Sequence, residues 1–96
     1  MDFEWDETKS QRTRAKRGID FNFALLVFDD PHRIDRPDER KPYGEDRRQT
    51  IGLIGDDVYF VVYTMRGKRT RIISARKAHD NEEEDYRTTL GATSVD

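Results

Sequence analysis

Three strand-like segments in residues 49–77 constrain the fold more than any other feature of this sequence. They read QTIGLIG, VYFVVYTM and TRIISARK, and each is rich in β-branched, aliphatic or aromatic residues. Short stretches of turn residues separate them, GDD at 55–57 and RGKR at 66–69. Connections this short join neighbouring antiparallel strands. The sequence therefore predicts a three-stranded antiparallel meander.

The alternation of residues along the third segment predicts which side chains share a face. Successive residues of a regular strand point to opposite faces of the sheet. This rule places on one face Ile72, Ser74 and Arg76, and on the other Arg71, Ile73 and Ala75.

Helical patterns precede and follow the predicted meander. FEWD at 3–6 alternates like a short strand, and residues 7–17 contain no Pro or Gly before Gly18, which is typical of a helix with a left-handed C-terminal cap. Asp20 is placed to cap a second helix. The apolar stripe of that helix is predicted to consist of Phe21, Ala24, Leu25 and Phe28. DNEEEDYRTTL, from residue 80, suits a final helix with acids near the positive end of its dipole.

Residues 29–48 form the longest segment without a helix or strand pattern. They hold all three prolines, and a polar loop of this length is either mobile or functional in a compact domain. A strand, two helices, a meander and a final helix together predict an α+β fold with helices on an antiparallel sheet. We expect a single domain over residues 1–96, with a flexible tail after about residue 90.

Positive charge is concentrated in two blocks, although the net charge is only −2. Residues 8–17 carry five Lys or Arg and residues 64–79 carry six, with no acid in either block. Basic blocks bind phosphates, and they are also common as solvated faces that pair with nearby acids. The charge pattern alone leaves both interpretations open.

Several classes of site have no candidate in the sequence. Cysteine is absent, which excludes disulfides and thiolate zinc sites and fits a reducing cytoplasm. The sequence contains no phosphate-binding loop, no dinucleotide-binding glycine motif and no histidine spacing suited to a metal. It also contains no signal peptide and no apolar run long enough to cross a membrane. We therefore expect a cytoplasmic protein with no metal, no cofactor and no membrane contact.

Four short motifs, in a fixed order, give the chain a family resemblance. They are EWD at 4–6, GIDF at 18–21, E-x-R at 45–47 and IISARKA at 72–78. In these motifs, and over roughly residues 3–90, the chain resembles BrnT, the toxin of BrnT–BrnA toxin–antitoxin pairs. The resemblance implies a RelE-like fold, RNA cleavage without a metal ion, and neutralisation by a ribbon-helix-helix antitoxin similar to BrnA. It also implies an assembly of two toxins on an antitoxin dimer, in which only the antitoxin contacts operator DNA.

The resemblance and the chemistry of RNA cleavage point to the same basic side chains. Such an enzyme must stabilise the extra negative charge on the phosphate oxygens, and guanidinium groups are always charged and bind phosphate bidentately. The predicted catalytic residues are Arg76, Arg66, Arg71 and Arg17. The predicted RNA-binding residues are Lys77, Ser74, Lys9 and Lys16.

The chain departs from the family pattern just before its second helix. BrnT-like sequences usually read Lys-His-Gly there, but this chain reads Lys16-Arg17-Gly18. Arginine, unlike histidine, keeps its proton near neutral pH, so Arg17 is expected to hold phosphate and not to transfer protons. The two histidines, His32 and His79, do not restore that position, although His79 is the better placed of the two.

The acidic run DNEEED at 80–85 is a second departure, because the family tends to carry basic residues there. These acids repel RNA unless they point away from it or pair with the arginines. Arg76 is therefore expected either to contact phosphate or to pair with Glu82 or Glu83.

Two functional classes are compatible with these features. The first is an active, metal-independent endoribonuclease toxin with an RNA substrate and an antitoxin partner. The second is a BrnT-like module with little or no cleavage, which binds its ribbon-helix-helix antitoxin and acts mainly in operator-binding autoregulation. Arg17 and the acidic run are the features that favour the second class.

Overall fold

Five strands and three α-helices make up the described part of the protein. The computed structural model describes residues 1–42 and 44–94. The elements are β1 (Asp2–Glu4), α1 (Glu7–Arg17), α2 (Phe21–Ala24), a 3-10 helix (Leu25–Asp29), β2 (Ile34–Pro37), β3 (Arg47–Ile54), β4 (Asp57–Arg66), β5 (Arg69–Lys77) and α3 (Asp80–Ser94). The strands form one sheet in the order β1-β5-β4-β3-β2. The predicted α+β class is confirmed.

The predicted meander forms the centre of the sheet. Strand β4 pairs antiparallel with β3 on one side and with β5 on the other. Strand β1 adds to β5 in parallel, and β2 adds to β3 antiparallel. Strand β2 lies within residues 29–48, which had been predicted to be a loop. Its sequence, IDRP, is polar and contains a proline, a residue that a sheet tolerates at an edge such as this one.

Helix α1 has the predicted boundaries because both of its ends are capped. The Asp6 side chain accepts a hydrogen bond from the Lys9 backbone N–H at 3.2 Å. At the other end Gly18 has a φ of 79°, and its N–H donates to the Arg14 carbonyl at 2.9 Å. Glycine adopts this left-handed backbone conformation at little energetic cost, so the helix ends there.

The second helix is tighter than predicted, and this changes its buried stripe. After one α-helical turn the chain continues as a 3-10 helix, in which every third residue falls on the same side. The fully buried residues are accordingly Phe21, Ala24 and Val27. Phe28, which had been predicted for the stripe, is only partly buried and packs its ring against Tyr63 at 5.3 Å.

The sheet carries apolar clusters on both faces. On the first, the α2 face, Phe21 and its neighbours pack against Val61, Ile72 and Ala75. On the second, the α3 face, Tyr86 of α3 packs against a cluster formed by Ile51, Val58, Phe60 and Val62. The Tyr86 hydroxyl donates to Asp30 at 2.5 Å, and burial together with this bond raises the pKa of Tyr86 to about 12.

A β-bulge in β5 makes the predicted face assignment of that strand wrong. Val62 pairs with Ser74, but the next residue, Tyr63, pairs with Ile72, so β5 has one extra residue at this point. The extra residue reverses the alternation beyond it. Ile72 therefore shares the α2 face with Ala75 and not with Ser74 and Arg76.

The prediction of a final helix that starts at residue 80 is confirmed, and this helix continues to Ser94. The prediction of a flexible tail after about residue 90 concerns in part residues 95–96, which lie outside the described residues. None of the helices in the described part of the chain is long and apolar enough to span a membrane.

Candidate functional site

Because of the bulge, the arginines of β5 collect on the α3 face. Arg76 pairs with Phe60 and Arg71 pairs with Thr64, and these two β4 residues point to the same face as Val62. The pairing registers of β2, β3 and the β4–β5 hairpin add further arginines to this face. Its members are Arg36, Arg47, Arg66, Arg69, Arg71 and Arg76, which we call the arginine face.

Arg76 is the most firmly held member of the arginine face. Its guanidinium carbon lies 4.1 Å from the centroid of the Phe60 ring, a cation–π distance. Two of its nitrogens, Nη1 and Nη2, donate to the Glu82 carboxylate at 2.7 and 2.9 Å, and Nη1 also donates to the Lys77 carbonyl at 3.1 Å. The alternative in which Arg76 pairs with Glu82 is therefore the one observed.

The pair with Glu82 leaves one edge of the Arg76 guanidinium open. A guanidinium offers two forks for a carboxylate or phosphate, one formed by the two Nη atoms and one by Nε with Nη2. Glu82 occupies the first fork. Within residues 1–42 and 44–94, nothing bonds to Nε of Arg76. Its side chain is 19% exposed, and none of the described side-chain nitrogens that lack a hydrogen bond is fully buried, so Nε remains accessible to a ligand.

Arg71 and Arg66 lie farther along the same face. Arg71 donates to Glu4 of β1 at 2.7 Å, and about 13 Å of strand separates it from Arg76. Arg66, at the β4–β5 hairpin, is 3.8 Å from Glu45 and 54% exposed. Ser74 is half-buried between Arg71 and Arg76 on this face. The structure thus places Arg66, Arg71, Ser74 and Arg76 on one surface, spread along it.

The other predicted residues have different positions. Lys77 pairs with Tyr59, so it points to the α2 face, and its ammonium is 3.4 Å from Asp57. Arg17 donates through Nη1 to the Ala75 carbonyl at 3.0 Å and so satisfies a backbone acceptor at the edge of β5. Lys16 is exposed on α1.

Lys9 of α1 lies near the arginine face. Partial desolvation, followed by the positive charge of Arg47, lowers the pKa of its ammonium, and Arg71 contributes to the same effect. A lysine next to guanidinium groups strengthens the local positive potential. This position is compatible with the predicted role of Lys9 in RNA binding.

Several residues of this surface were not predicted. Arg36 and Arg47 join it only through strand pairing, and β2 was not recognised in the sequence. The guanidinium carbon of Arg40 lies 5.2 Å from the centroid of the same Phe60 ring. The sequence indicates only an ordinary core role for Phe60; its position opposite Arg76 becomes visible only in the strand pairing.

Asp38 anchors the segment that carries Arg40. Its carboxylate is fully buried and accepts two bonds from Arg40, at 2.7 and 2.8 Å, and one from Gln49 at 3.0 Å. These bonds, led by those from Arg40, lower the pKa of Asp38 from 3.8 to about 2. The ionised carboxylate therefore stabilises the fold.

We predict that Asp38→Asn lowers the free energy of unfolding by about 2 kcal/mol at neutral pH. Since the pKa is lower in the folded protein, this stabilisation is present above about pH 4 and is lost as the pH falls through about 2. Denaturant unfolding of the wild type and the variant at several pH values measures the difference. The prediction fails if the difference does not change between pH 7 and pH 2. Asp29→Asn, at an exposed position, is the control.

The two histidines lie in different parts of the fold. His32 is in the connection before β2, where its backbone N–H donates to Asp30 at 2.8 Å. His79 immediately precedes α3, and its backbone N–H donates to Glu82 at 2.8 Å. In the described part of the chain, no three His, Cys, Asp or Glu side chains are grouped so as to hold a metal ion.

The family is shown by comparison with family models. Residues 5–82 match the model described as the ribonuclease toxin, BrnT, of type II toxin–antitoxin systems. The chain belongs to the BrnT family. A comparison with curated protein sequences gives no match. The matched residues run from the residue after β1 to the first turn of α3, so they include the arginine face and Glu82. Membership of a type II toxin–antitoxin family implies ribonuclease activity and an antitoxin partner.

Proposed function

We propose that this BrnT-family chain cleaves RNA at its arginine face without a metal ion, with Arg76 as the principal phosphate-binding residue. The observation that supports this most strongly is the environment of Arg76. Its guanidinium is fixed by Phe60 and Glu82, and within the described residues its Nε has no hydrogen-bond partner, so Nε and the second N–H of Nη2 remain for a phosphate. A fixed donor pair aimed at a phosphate stabilises the charge that develops in the transition state.

The reaction we assign is an internal transfer at phosphorus. The ribose 2′-oxygen attacks the adjacent phosphorus, and the bond from phosphorus to the 5′-oxygen breaks. The 2′-hydroxyl loses its proton and the departing 5′-oxygen gains one, which leaves a 2′,3′-cyclic phosphate and a 5′-hydroxyl. Arg76 binds the phosphate oxygens as their charge increases, and Arg71 and Lys9 hold the neighbouring backbone. Ser74 supplies a further hydroxyl donor between them.

Arg17 has a structural role in this proposal. Its guanidinium holds the Ala75 carbonyl, directly beside Arg76, and thereby fixes the strand edge from which Arg76 projects. Arginine does not release its proton at neutral pH, so proton transfer falls to another group. His79 is the histidine nearest to the pair formed by Arg76 and Glu82, to which its backbone is bonded.

We further assign to the chain the assembly typical of its family. The fold arrangement is RelE-like, and the protein acts in the cytoplasm. The antitoxin is of the ribbon-helix-helix class, two toxins bind one antitoxin dimer, and the antitoxin alone contacts operator DNA. The exposed part of the arginine face, with Arg66 at one end, favours a partner that covers it with acidic side chains.

The proposal is tested by incubating the purified protein with total RNA in the presence of EDTA. We expect degradation of the RNA to products that end in 2′,3′-cyclic phosphate. Intact RNA would show that the chain is a binding module with little or no cleavage. Loss of cleavage in EDTA that Mg²⁺ restores would show that the reaction depends on a metal. Expression with the neighbouring reading frame should give a complex containing two copies of each chain.

A further inference from the structure

The acidic run at the start of α3 contains one residue that does not behave like the others. Among the acids at positions 80–85, only Glu82 is buried, and its side chain is 11% exposed. Glu83 is half-exposed and lies 3.8 Å from Arg87 on the same helix. Asp85 is also half-exposed and makes a longer contact with Arg36, at 3.4 Å. The other acids of this run are exposed, as expected for a solvated acidic face, whereas the burial of Glu82 needs a different explanation.

We propose that Glu82 is a positioning residue that fixes Arg76 for phosphate binding. The inference rests on the proposed function, since it assigns a partner to the arginine of that site. Glu82 holds the Nη1–Nη2 fork of Arg76, and Phe60 covers one side of the guanidinium plane. These contacts leave the Nε–Nη2 fork pointing in a single direction. A guanidinium without them rotates about its long side chain and loses that direction.

Glu82 is itself fixed by the helix that carries it. Its Oε1 accepts the His79 backbone N–H at 2.8 Å, three residues back, which is the arrangement of a capping box at a helix N-terminus. The carboxylate thus links the first turn of α3 to the end of β5. The position of Arg76 depends on the helix start through this one side chain.

A competing role for Glu82 is that of an internal blocker, which RNA would have to displace. If RNA displaced Glu82, one member of a partly buried ion pair would be left without its partner, and this would lower the equilibrium constant for RNA binding by roughly a hundred-fold or more. The RNA phosphate need not displace the carboxylate, because the second fork of Arg76 remains open. The geometry therefore favours positioning over blocking.

A second competing role is that of the proton acceptor. Both carboxylate oxygens already accept hydrogen bonds, Oε1 from Arg76 and from His79, and Oε2 from Arg76. Burial raises the pKa of Glu82, but the bonds from Arg76 and His79 outweigh it, so the pKa lies below its usual value. A carboxylate in this state is a poor base near neutral pH.

The test measures cleavage of one fluorescent RNA by Glu82→Gln, with Glu83→Gln as the matched control on the same helix. Glutamine keeps an oxygen that accepts the His79 N–H but loses the charge and one arm of the fork. We expect kcat to fall about 10–100-fold, because misplaced catalytic groups have effects of this size. We expect KM not to rise, since a negative charge near the RNA has been removed. Glu83→Gln should match the wild type.

A double variant distinguishes positioning from an independent role. If Glu82 acts through Arg76, Glu82→Gln should have no further effect in an Arg76→Ala background. An equal loss in both backgrounds would show that Glu82 acts on its own, and a gain in kcat/KM would show that it blocks the site. Either result overturns the inference, as does an equal loss in Glu83→Gln. Intact RNA with the wild type would instead overturn the proposed function itself.

A more conservative variant covers the case in which Glu82→Gln does not fold. Glu82→Asp keeps the charge and shortens the side chain by one methylene, so it cannot span the fork of Arg76 while also capping α3. We expect this variant to lose kcat as well, again with no further effect in the Arg76→Ala background. Wild-type activity in Glu82→Asp would contradict positioning by the fork.

Discussion

Replacing Arg76 by alanine should lower the rate of RNA cleavage about 10²–10³-fold, which is typical of removing one donor to a developing oxyanion. The variant lacks the Arg76 guanidinium, which lies against the Phe60 ring on the α3 face. In the wild type, Glu82 binds the two Nη atoms of this group and leaves its Nε edge open for a phosphate. It also leaves the Glu82 carboxylate without its partner, which adds negative charge where the phosphate would lie. Single-turnover assays with excess protein measure the change.

Arg87→Ala is the matched control for this prediction. Arg87 is half-exposed on α3, pairs with Glu83, and lies outside the arginine face. Its removal should leave the rate unchanged within about two-fold, because surface ion pairs contribute little. If Arg76→Ala cleaves as fast as Arg87→Ala while both remain folded, the site is in the wrong place.

Replacing Phe21 by alanine should lower the free energy of unfolding by about 3–5 kcal/mol. Phe21 is fully buried where the second helix begins, and it packs against β4 and β5. With an apolar content of 33%, this chain has little other core to compensate. A domain of this size is stable by roughly 5–15 kcal/mol, so the loss is a large share of the total. Thermal or denaturant unfolding followed by circular dichroism measures it.

Leu26→Ala provides the comparison within the same segment. Leu26 is 48% exposed, so its truncation should change stability by less than about 1 kcal/mol. A melting temperature of Phe21→Ala close to that of Leu26→Ala would show that the α2 face is not the main core.

The central strands were predictable because their signals are local. Turn residues at 55–57 and 66–69 fix the connections, and alternation in β4 identifies its two faces. The bulge between β4 and β5 was not predictable, since no glycine or other residue in RTRIISARK marks it. It arises from the pairing of two strands and from the fit of Ile72 into the α2 face. Only the paired structure contains that information.

The same limit applies to the candidate site. Within the basic block at 64–79, the family resemblance and the chemistry of phosphate binding selected Arg66, Arg71 and Arg76 as candidates. The contributions of Arg36 and Arg47 required the pairing of β2 with β3 and of β3 with β4, which a polar segment with prolines does not reveal. The sequence offered two environments for Arg76, a phosphate or an ion pair with Glu82 or Glu83. The geometry of its two forks makes these compatible, because a guanidinium can serve a carboxylate and a phosphate together.

The departure at Arg17 also has a physical explanation in the structure. Its side chain holds the carbonyl of Ala75 at the edge of β5, where β1 pairs only with Arg69–Arg71. An exposed strand edge needs partners for its backbone groups, and a long cationic side chain supplies one. Arg17 therefore contacts the strand that carries Arg76, beside the proposed site.

The central claim is that the open fork of Arg76 binds an RNA phosphate, and nuclear magnetic resonance tests it most directly. The Nε–Hε signals of ¹⁵N-labelled protein are recorded while a short 2′-O-methyl RNA, which cannot be cleaved, is added. The Arg76 Nε–Hε signal is assigned as the one that is absent from the spectrum of Arg76→Ala. We predict that this signal shifts as RNA is added until binding is saturated, and that the Arg87 signal does not shift. Shifts at other arginines with an unmoved Arg76 signal would contradict the account.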